Sequence, residues 1–125
     1  MGNSKTSIAV LIPCRNEQIT VAEVVSGFHN ALPEATVYVY DNASTDQTMT
    51  NARQAGAIVG FEPTLGKGHV IRRMFADIDA DIYVVVDGDG TYDPSEAPLM
   101  LKTFSDQGLD MLAGARSIIP ETNIR

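Results

Sequence analysis

Ile82 to Val86 is a wholly apolar run that passes directly into Asp87-Gly88-Asp89-Gly90-Thr91-Tyr92-Asp93-Pro94. A strand buried on both faces reads as such a run, and strands of that kind belong inside a parallel sheet covered by helices. Its carboxyl end, where the two aspartates fall, is the edge at which open α/β sheets bind ligands. Paired carboxylates repel each other unless a cation lies between them, so the i, i+2 spacing points to a divalent metal. Hard oxygen donors suit magnesium or manganese, which bridge in turn to phosphate oxygens. Asp and Gly also favour turns, and a solvated acidic turn accounts for the same residues taken alone.

The rest of the chain alternates strand and helix. Ser7 to Ile12 is an apolar run closed by Pro13, and Gln18 to Leu32 carries Ile19, Ala22, Val24, Val25, Phe28 and Leu32 at helical spacing, with Asn16 available as a cap. Thr36 to Tyr40 is β-branched and aromatic and ends at Asp41. Ser44-Thr45-Asp46-Gln47 has the form of a capping box, opening a helix to about Ala55. Ala57 to Phe61 is a third strand, and Gly66-Lys67-Gly68 leads into a helix with Val70, Ile71, Met74, Phe75 and Ile78 inward. After the fourth strand, Asp93-Pro94-Ser95-Glu96 resembles a second capping box, with proline at the favoured first position, for a helix to Gln107 stopped by Gly108. Met111 to Ala115 reads as a fifth strand, and Ser117 to Arg125 shows no periodicity.

Such alternation implies a parallel sheet with helices on both faces and right-handed crossovers. Every strand then delivers its carboxyl end to one edge. Pro13 to Glu17, Asp41-Asn42 and Asp87 to Asp89 therefore converge although they are far apart in sequence, and their convergence favours a site over a solvated turn.

With 125 residues the chain makes one domain of common size, long enough to bury a core. A formal net charge of −7 argues against a nucleic-acid partner and obliges any anionic ligand to bring a metal or meet local basic groups. The single cysteine, Cys14, excludes an internal disulfide and a thiolate metal site, and reads as a small buried hydrophobe in a reducing compartment. No stretch approaches the ~20 apolar residues that span a bilayer, and no charged, apolar leader opens the chain, so the expected location is cytoplasmic. Met1-Gly2-Asn3-Ser4-Lys5-Thr6 fits the loose N-myristoylation pattern and is read here as a polar start.

Taken together, these segments resemble family 2 glycosyltransferases, which have the GT-A fold. Pro13-Cys14-Arg15-Asn16-Glu17 is similar to their Pro-x-x-Asn-Glu opening, and Asp41-Asn42-Ala43-Ser44-Thr45-Asp46-Gln47-Thr48 to their Asp-(Asp/Asn)-x-Ser-x-Asp-x-Thr segment. Gly66-Lys67-Gly68 matches a Gly-Lys-Gly turn, Asp87 to Pro94 the Asp-x-Asp region in a form common among polyprenyl-phosphate glycosyltransferases, and Gly114-Ala115-Arg116 the Gly-Ser-Arg that follows. The expected fold class is therefore α/β, a Rossmann-like, mostly parallel GT-A sheet.

The resemblance implies a role for each matching position. Asp41 would accept a hydrogen bond from the nucleotide base, with Asn16, Glu17 and the backbone near Pro13 lining the nucleoside pocket. Asp87 and Asp89 would address the donor ribose and a divalent magnesium or manganese ion, Asp89 acting in catalysis, and Lys67 would lie near the donor phosphates. A further metal-contacting position, sometimes Gln in related enzymes, is Thr91 here. The implied donor is a UDP- or GDP-linked sugar, transferred with inversion to a polyprenyl phosphate or similar acceptor, whose anionic oxygen needs no general base. Quieter readings stand beside these: Ser44, Asp46 and Asp93 as helix caps, Lys67 as a solvated side chain, His29 and His69 as isolated surface or packing residues, Arg72 and Arg73 as a solvated face from which one could reach phosphate.

Family members continue well past the segment matching Gly114-Ala115-Arg116. The expectation is thus a single domain over residues 1–125 that forms the nucleotide-sugar-binding half of a longer enzyme, with membrane contact only through a lipid acceptor or that further part. A missing antiparallel strand beside strand four would leave a free sheet edge and favour a homo-oligomer. Two other readings fit parts of the sequence. A non-catalytic, self-associating nucleotide-binding fragment explains the length, and a haloacid-dehalogenase-type phosphatase would use Asp87 as nucleophile and Asp89 as acid/base but leaves the upstream motifs unexplained.

Overall fold

A computed structural model of the chain describes residues 7–107 and 117–120. Four parallel strands, β1 (Ile8–Cys14), β2 (Thr36–Asp41), β3 (Ile58–Phe61) and β4 (Ile82–Val85), are joined by helices α1 (Val21–Ala31), α2 (Thr48–Gln54) and α3 (Lys67–Asp77). A 3₁₀ turn at Pro94–Glu96 opens α4 (Ala97–Gln107), and β5 (Ser117–Pro120) lies antiparallel beside β4. The strand order is β3-β2-β1-β4-β5. This is the α/β architecture expected from the alternation, in the GT-A-like form that the resemblance implies.

The sheet is covered on both sides, and the period-2 alternation of a strand sorts the core. Val10, Ile12, Val84 and Val86 pack with Val21, Val25 and Phe28 of α1, whereas Ala9, Leu11, Tyr83 and Val85 pack with Val70 and Met74 of α3. Neither face of β1 meets solvent, which is why its sequence shows an unbroken apolar run rather than alternation. Tyr83 is fully buried, and its hydroxyl donates to the Ile78 carbonyl at 2.7 Å, so that buried polar atom is satisfied.

The connection from β3 through α3 returns the chain to the far side of β1, so the direction of strand growth reverses between β1 and β4. The crevice outside the carboxyl ends at that reversal is where open α/β sheets place their ligands.

Several boundaries differ from expectation for identifiable reasons. α1 begins at Val21, not near Gln18, because residues 16–20 are committed to loop contacts, with Asn16 in the left-handed region at φ 57°. Ser44 does not cap α2, which starts at Thr48 with Gln47 at its N-cap and no side-chain cap hydrogen bond; Asp46 instead makes a local turn just ahead of it, its Oδ1 accepting from the Thr48 N–H at 3.0 Å. Asp93 caps as expected, accepting from Ser95 N at 3.0 Å. The aperiodic Ser117–Pro120 segment is strand β5, with Tyr83 opposite Ile119 and Val84 opposite Ile118. It occupies the edge of β4 that the sequence reading leaves free. Met111 to Ala115, Gly108, Gly114-Ala115-Arg116 and the first six residues lie outside the described residues. No helix among the described residues is long and apolar enough to cross a membrane.

Candidate functional site

The loop after β1 is stitched to the loop after β2. Asn16 donates its backbone N–H to Ser44 Oγ at 2.7 Å and accepts the Thr45 N–H on Oδ1 at 2.9 Å. The Glu17 N–H donates to Thr48 Oγ1 at 2.9 Å, and Thr48 Oγ1 in turn donates to Asp46 Oδ1. Gln18 extends the seam, accepting the Gln47 N–H on its side chain and the Asn51 amide on its carbonyl. Asn16, Ser44, Asp46 and Thr48 thus act by fixing the two loops to each other. Fully buried Thr48 and the hydrogen-bonded Asp46, whose carboxyl is held below its usual range chiefly by the Thr48 hydroxyl, anchor that seam.

Asp41 and Asn42 sit where β2 ends, and both are buried. Asp41 Oδ2 accepts from the Ser44 N–H at 2.9 Å, while Oδ1, equally buried, has no hydrogen-bond partner among the described residues. A buried carboxylate oxygen without a donor is costly, so this atom marks a place prepared for one. Asn42 holds the next loop in place. Its amide donates to the carbonyls of Glu62 and Thr64 at 2.8 Å each, and its Oδ1 accepts the Gly66 N–H at 2.9 Å. Glu62 completes the brace by accepting from Arg73 Nε at 2.8 Å and from Thr64 N at 2.8 Å. Arg73, read in the sequence as a solvated face with reach to phosphate, is therefore engaged with Glu62.

The third loop follows β4. Asp87 is ion-paired to Lys67, which the Asn42 brace has brought across from the start of α3. Asp89 Oδ1 accepts from both the N–H and the hydroxyl of Thr91, at 3.0 and 2.7 Å. Between them, the Gly88 carbonyl accepts from Thr20 Oγ1 at 2.6 Å, which ties the loop to the start of α1. A side chain at position 88 would run into Cys14 Sγ. Cys14 is buried and its thiol is pushed far up by that burial and by Glu17 and Asp41, so it is a packing residue and no nucleophile. The Glu17 carboxyl is also raised, first by desolvation and then by the like charges of Asp89 and Asp87.

These loops enclose a cavity of about 550 Å³. Pro13, Glu17, Lys67, Asp87 and Asp89, all singled out from sequence, line it. Asn16 is not in the lining and acts through the seam, and Asp41 lies beneath the surface next to Asn42. Arg15, Asn42 and Leu65 also line the cavity and were not singled out. Asn42 could have been found as the residue that continues a strand end into a braced loop; Arg15 and Leu65 carry no local signal.

Asp87 and Asp89 are hard oxygen donors, and their like charges, added to desolvation, raise the Glu17 carboxyl, a repulsion that a cation would relieve. No three His, Cys, Asp or Glu side chains among the described residues come together closely enough to hold a metal by themselves. Magnesium commonly takes only one or two carboxylates and completes its shell with phosphate and water. The residues present fit that arrangement, a cation shared with a phosphate ligand.

The sequence matches the family described as Glycosyl transferase family 2 over residues 9–124. It is 53% identical over 110 residues to Protein RfbJ of Shigella flexneri, covering 88% of this chain and 85% of that one. It is 37% identical to Glycosyltransferase AglJ of Haloferax volcanii, covering 88% of this chain but 36% of the relative, and 25% identical to the dolichol-phosphate mannosyltransferase of Pyrococcus furiosus, covering 33% of it. Glucosyl-3-phosphoglycerate synthase from Mycobacterium tuberculosis, solved with Mn2+, UDP-glucose and phosphoglyceric acid, superposes with a TM-score of 0.73 at 25% identity. That likeness covers 85% of this chain and 42% of the synthase, so the chain spans less than half the length of several proteins it resembles.

Proposed function

The chain belongs to glycosyl transferase family 2, and we propose that its cavity binds a uridine-diphospho-sugar as glycosyl donor together with a divalent cation. The observation that carries this reading is Asp41: a carboxylate at the end of β2 with one buried oxygen that lacks a donor among the described residues. The imide N–H of uracil supplies that donor, since an ionised carboxylate only accepts. Uridine is favoured over guanosine by the likeness to a synthase solved with UDP-glucose and Mn2+.

From that anchor the ligand runs toward Asp87 and Asp89 across the β1 loop, with Glu17 and the backbone at Pro13 along the nucleoside. Lys67 and the two aspartates receive the diphosphate end. Asp87 and Asp89 would hold a divalent cation there, which would neutralise the charge that grows on the departing diphosphate. Asp87 and Asp89 orient the donor so that its anomeric carbon faces the acceptor, and the seam through Asn16 and Asp46 keeps that geometry fixed.

The acceptor we propose carries a phosphate, a polyprenyl phosphate or a comparable ester. Its anionic oxygen attacks the anomeric carbon as the bond to UDP breaks, with inversion, and no general base is required. Two relatives support a phosphate-bearing acceptor, the dolichol-phosphate mannosyltransferase and the synthase solved with phosphoglyceric acid. The phosphatase reading of Asp87 and Asp89 gives way to the family match, which spans the upstream motifs it left unexplained.

Calorimetric titration of UDP and GDP, with and without manganese, tests the reading. UDP binding that needs manganese and is lost in Asp89→Ala is the expected result. Binding independent of the cation, or preference for GDP, would contradict it.

A further inference from the structure

We propose that Arg15 recognises a phosphate group of the bound substrates. The inference rests on the donor-site reading above and adds to it a residue that none of the matching motifs specifies.

Among the described residues two cationic side chains line the cavity, Arg15 and Lys67, against the carboxylates of Glu17, Asp87 and Asp89. Lys67 is already paired with Asp87. Arg15 is exposed, and among the described residues it makes no hydrogen bond or ion pair. Among the described residues the cavity therefore has one positive charge not yet committed, in a chain whose formal net charge is −7. An anionic ligand entering that field needs such a group.

Position points the same way. Arg15 directly follows β1, and β1 lies between β2, which ends at Asp41, and β4, which leads to Asp87. A nucleoside anchored at Asp41 must pass its phosphates over the β1 loop to reach the two aspartates. A guanidinium presents paired N–H donors in a fixed fork that matches two phosphate oxygens, which an ammonium does not. The phosphate comes from one of two sources, the donor's diphosphate or a phosphate-bearing acceptor, and the chemistry of recognition is shared.

Arg15→Gln and Arg15→Lys separate these sources when titrated with uridine, UMP and UDP in manganese, and with inorganic phosphate into the UDP-saturated protein. The expected result is a loss of about tenfold or more in UDP affinity for Arg15→Gln. Uridine affinity should be unchanged, and Arg15→Lys should fall between. A loss confined to inorganic phosphate assigns the contact to the acceptor and equally supports the proposal. Equal losses for uridine and UDP would mean that Arg15 holds the base, and no loss with any ligand would make it a solvated surface residue; either overturns the proposal. Failure of the wild-type chain to bind uridine or UDP would contradict the donor-site reading itself, and this inference with it.

Discussion

The Gly88 backbone lies against Cys14 Sγ so closely that a methyl group at position 88 would overlap the sulfur. Asp87 and Asp89 are thus set by contact between the β4 loop and the end of β1, and only glycine fits between them. Gly88→Ala should destabilise the fold by roughly 1–3 kcal/mol, as overpacking does, and weaken manganese-dependent UDP binding. Cys14→Ala removes the obstructing sulfur, so the double variant should recover part of both losses. Urea unfolding and calorimetry of the four proteins give the cycle; strictly additive effects would show that the contact is not what limits position 88.

Asn42 makes a second prediction. Its three hydrogen bonds hold the Glu62 and Thr64 carbonyls and the Gly66 N–H, and through them the start of α3. Asn42→Ala leaves those groups unpaired and should cost about 2–4 kcal/mol in urea unfolding. It should also release Lys67 from Asp87, so that UDP affinity falls even at temperatures where the variant remains folded. Unchanged UDP affinity in the folded variant would contradict the brace.

Glu62 makes stability depend on acid pH. Its carboxyl is held down from 4.5 to about 2, first by the hydrogen bond from Arg73 and then by the Thr64 N–H. A carboxyl with a depressed folded pKa stabilises the fold above its unfolded value and loses that contribution as pH falls through the folded one. The wild type should therefore lose stability between pH 4.5 and about 2, and Glu62→Gln should lose less over the same window. Urea midpoints measured across that range check this, and parallel curves would contradict it.

Much of this was readable in the chain because buried parallel strands leave an unambiguous mark. The runs at Ile8 to Ile12 and Ile82 to Val86 have no polar face, and their carboxyl ends hold Glu17, Asp87 and Asp89, which meet in one cavity. The caps were harder. Ser44-x-x-Gln47 satisfies the capping pattern, yet Ser44 serves Asn16 and Gln47 serves Gln18, because a neighbouring loop competes for the same atoms. β5 was missed since a four-residue strand at a sheet edge carries too little pattern to separate from loop. Arg15 and the Glu62–Arg73 pair depend on how distant elements pack, which no local spacing records.

The account turns on Asp41, and Asp41→Asn tests it most directly. The amide oxygen can keep the bond from the Ser44 N–H, while an NH2 group replaces the unpaired oxygen and turns an acceptor into a donor. Calorimetric titration of UDP in manganese should then show affinity lower by about 10- to 100-fold, the worth of a hydrogen bond to a charged group, in a variant with wild-type thermal stability or better. UDP bound equally well by Asp41→Asn would mean that the base is read elsewhere and that the buried oxygen is not the donor anchor.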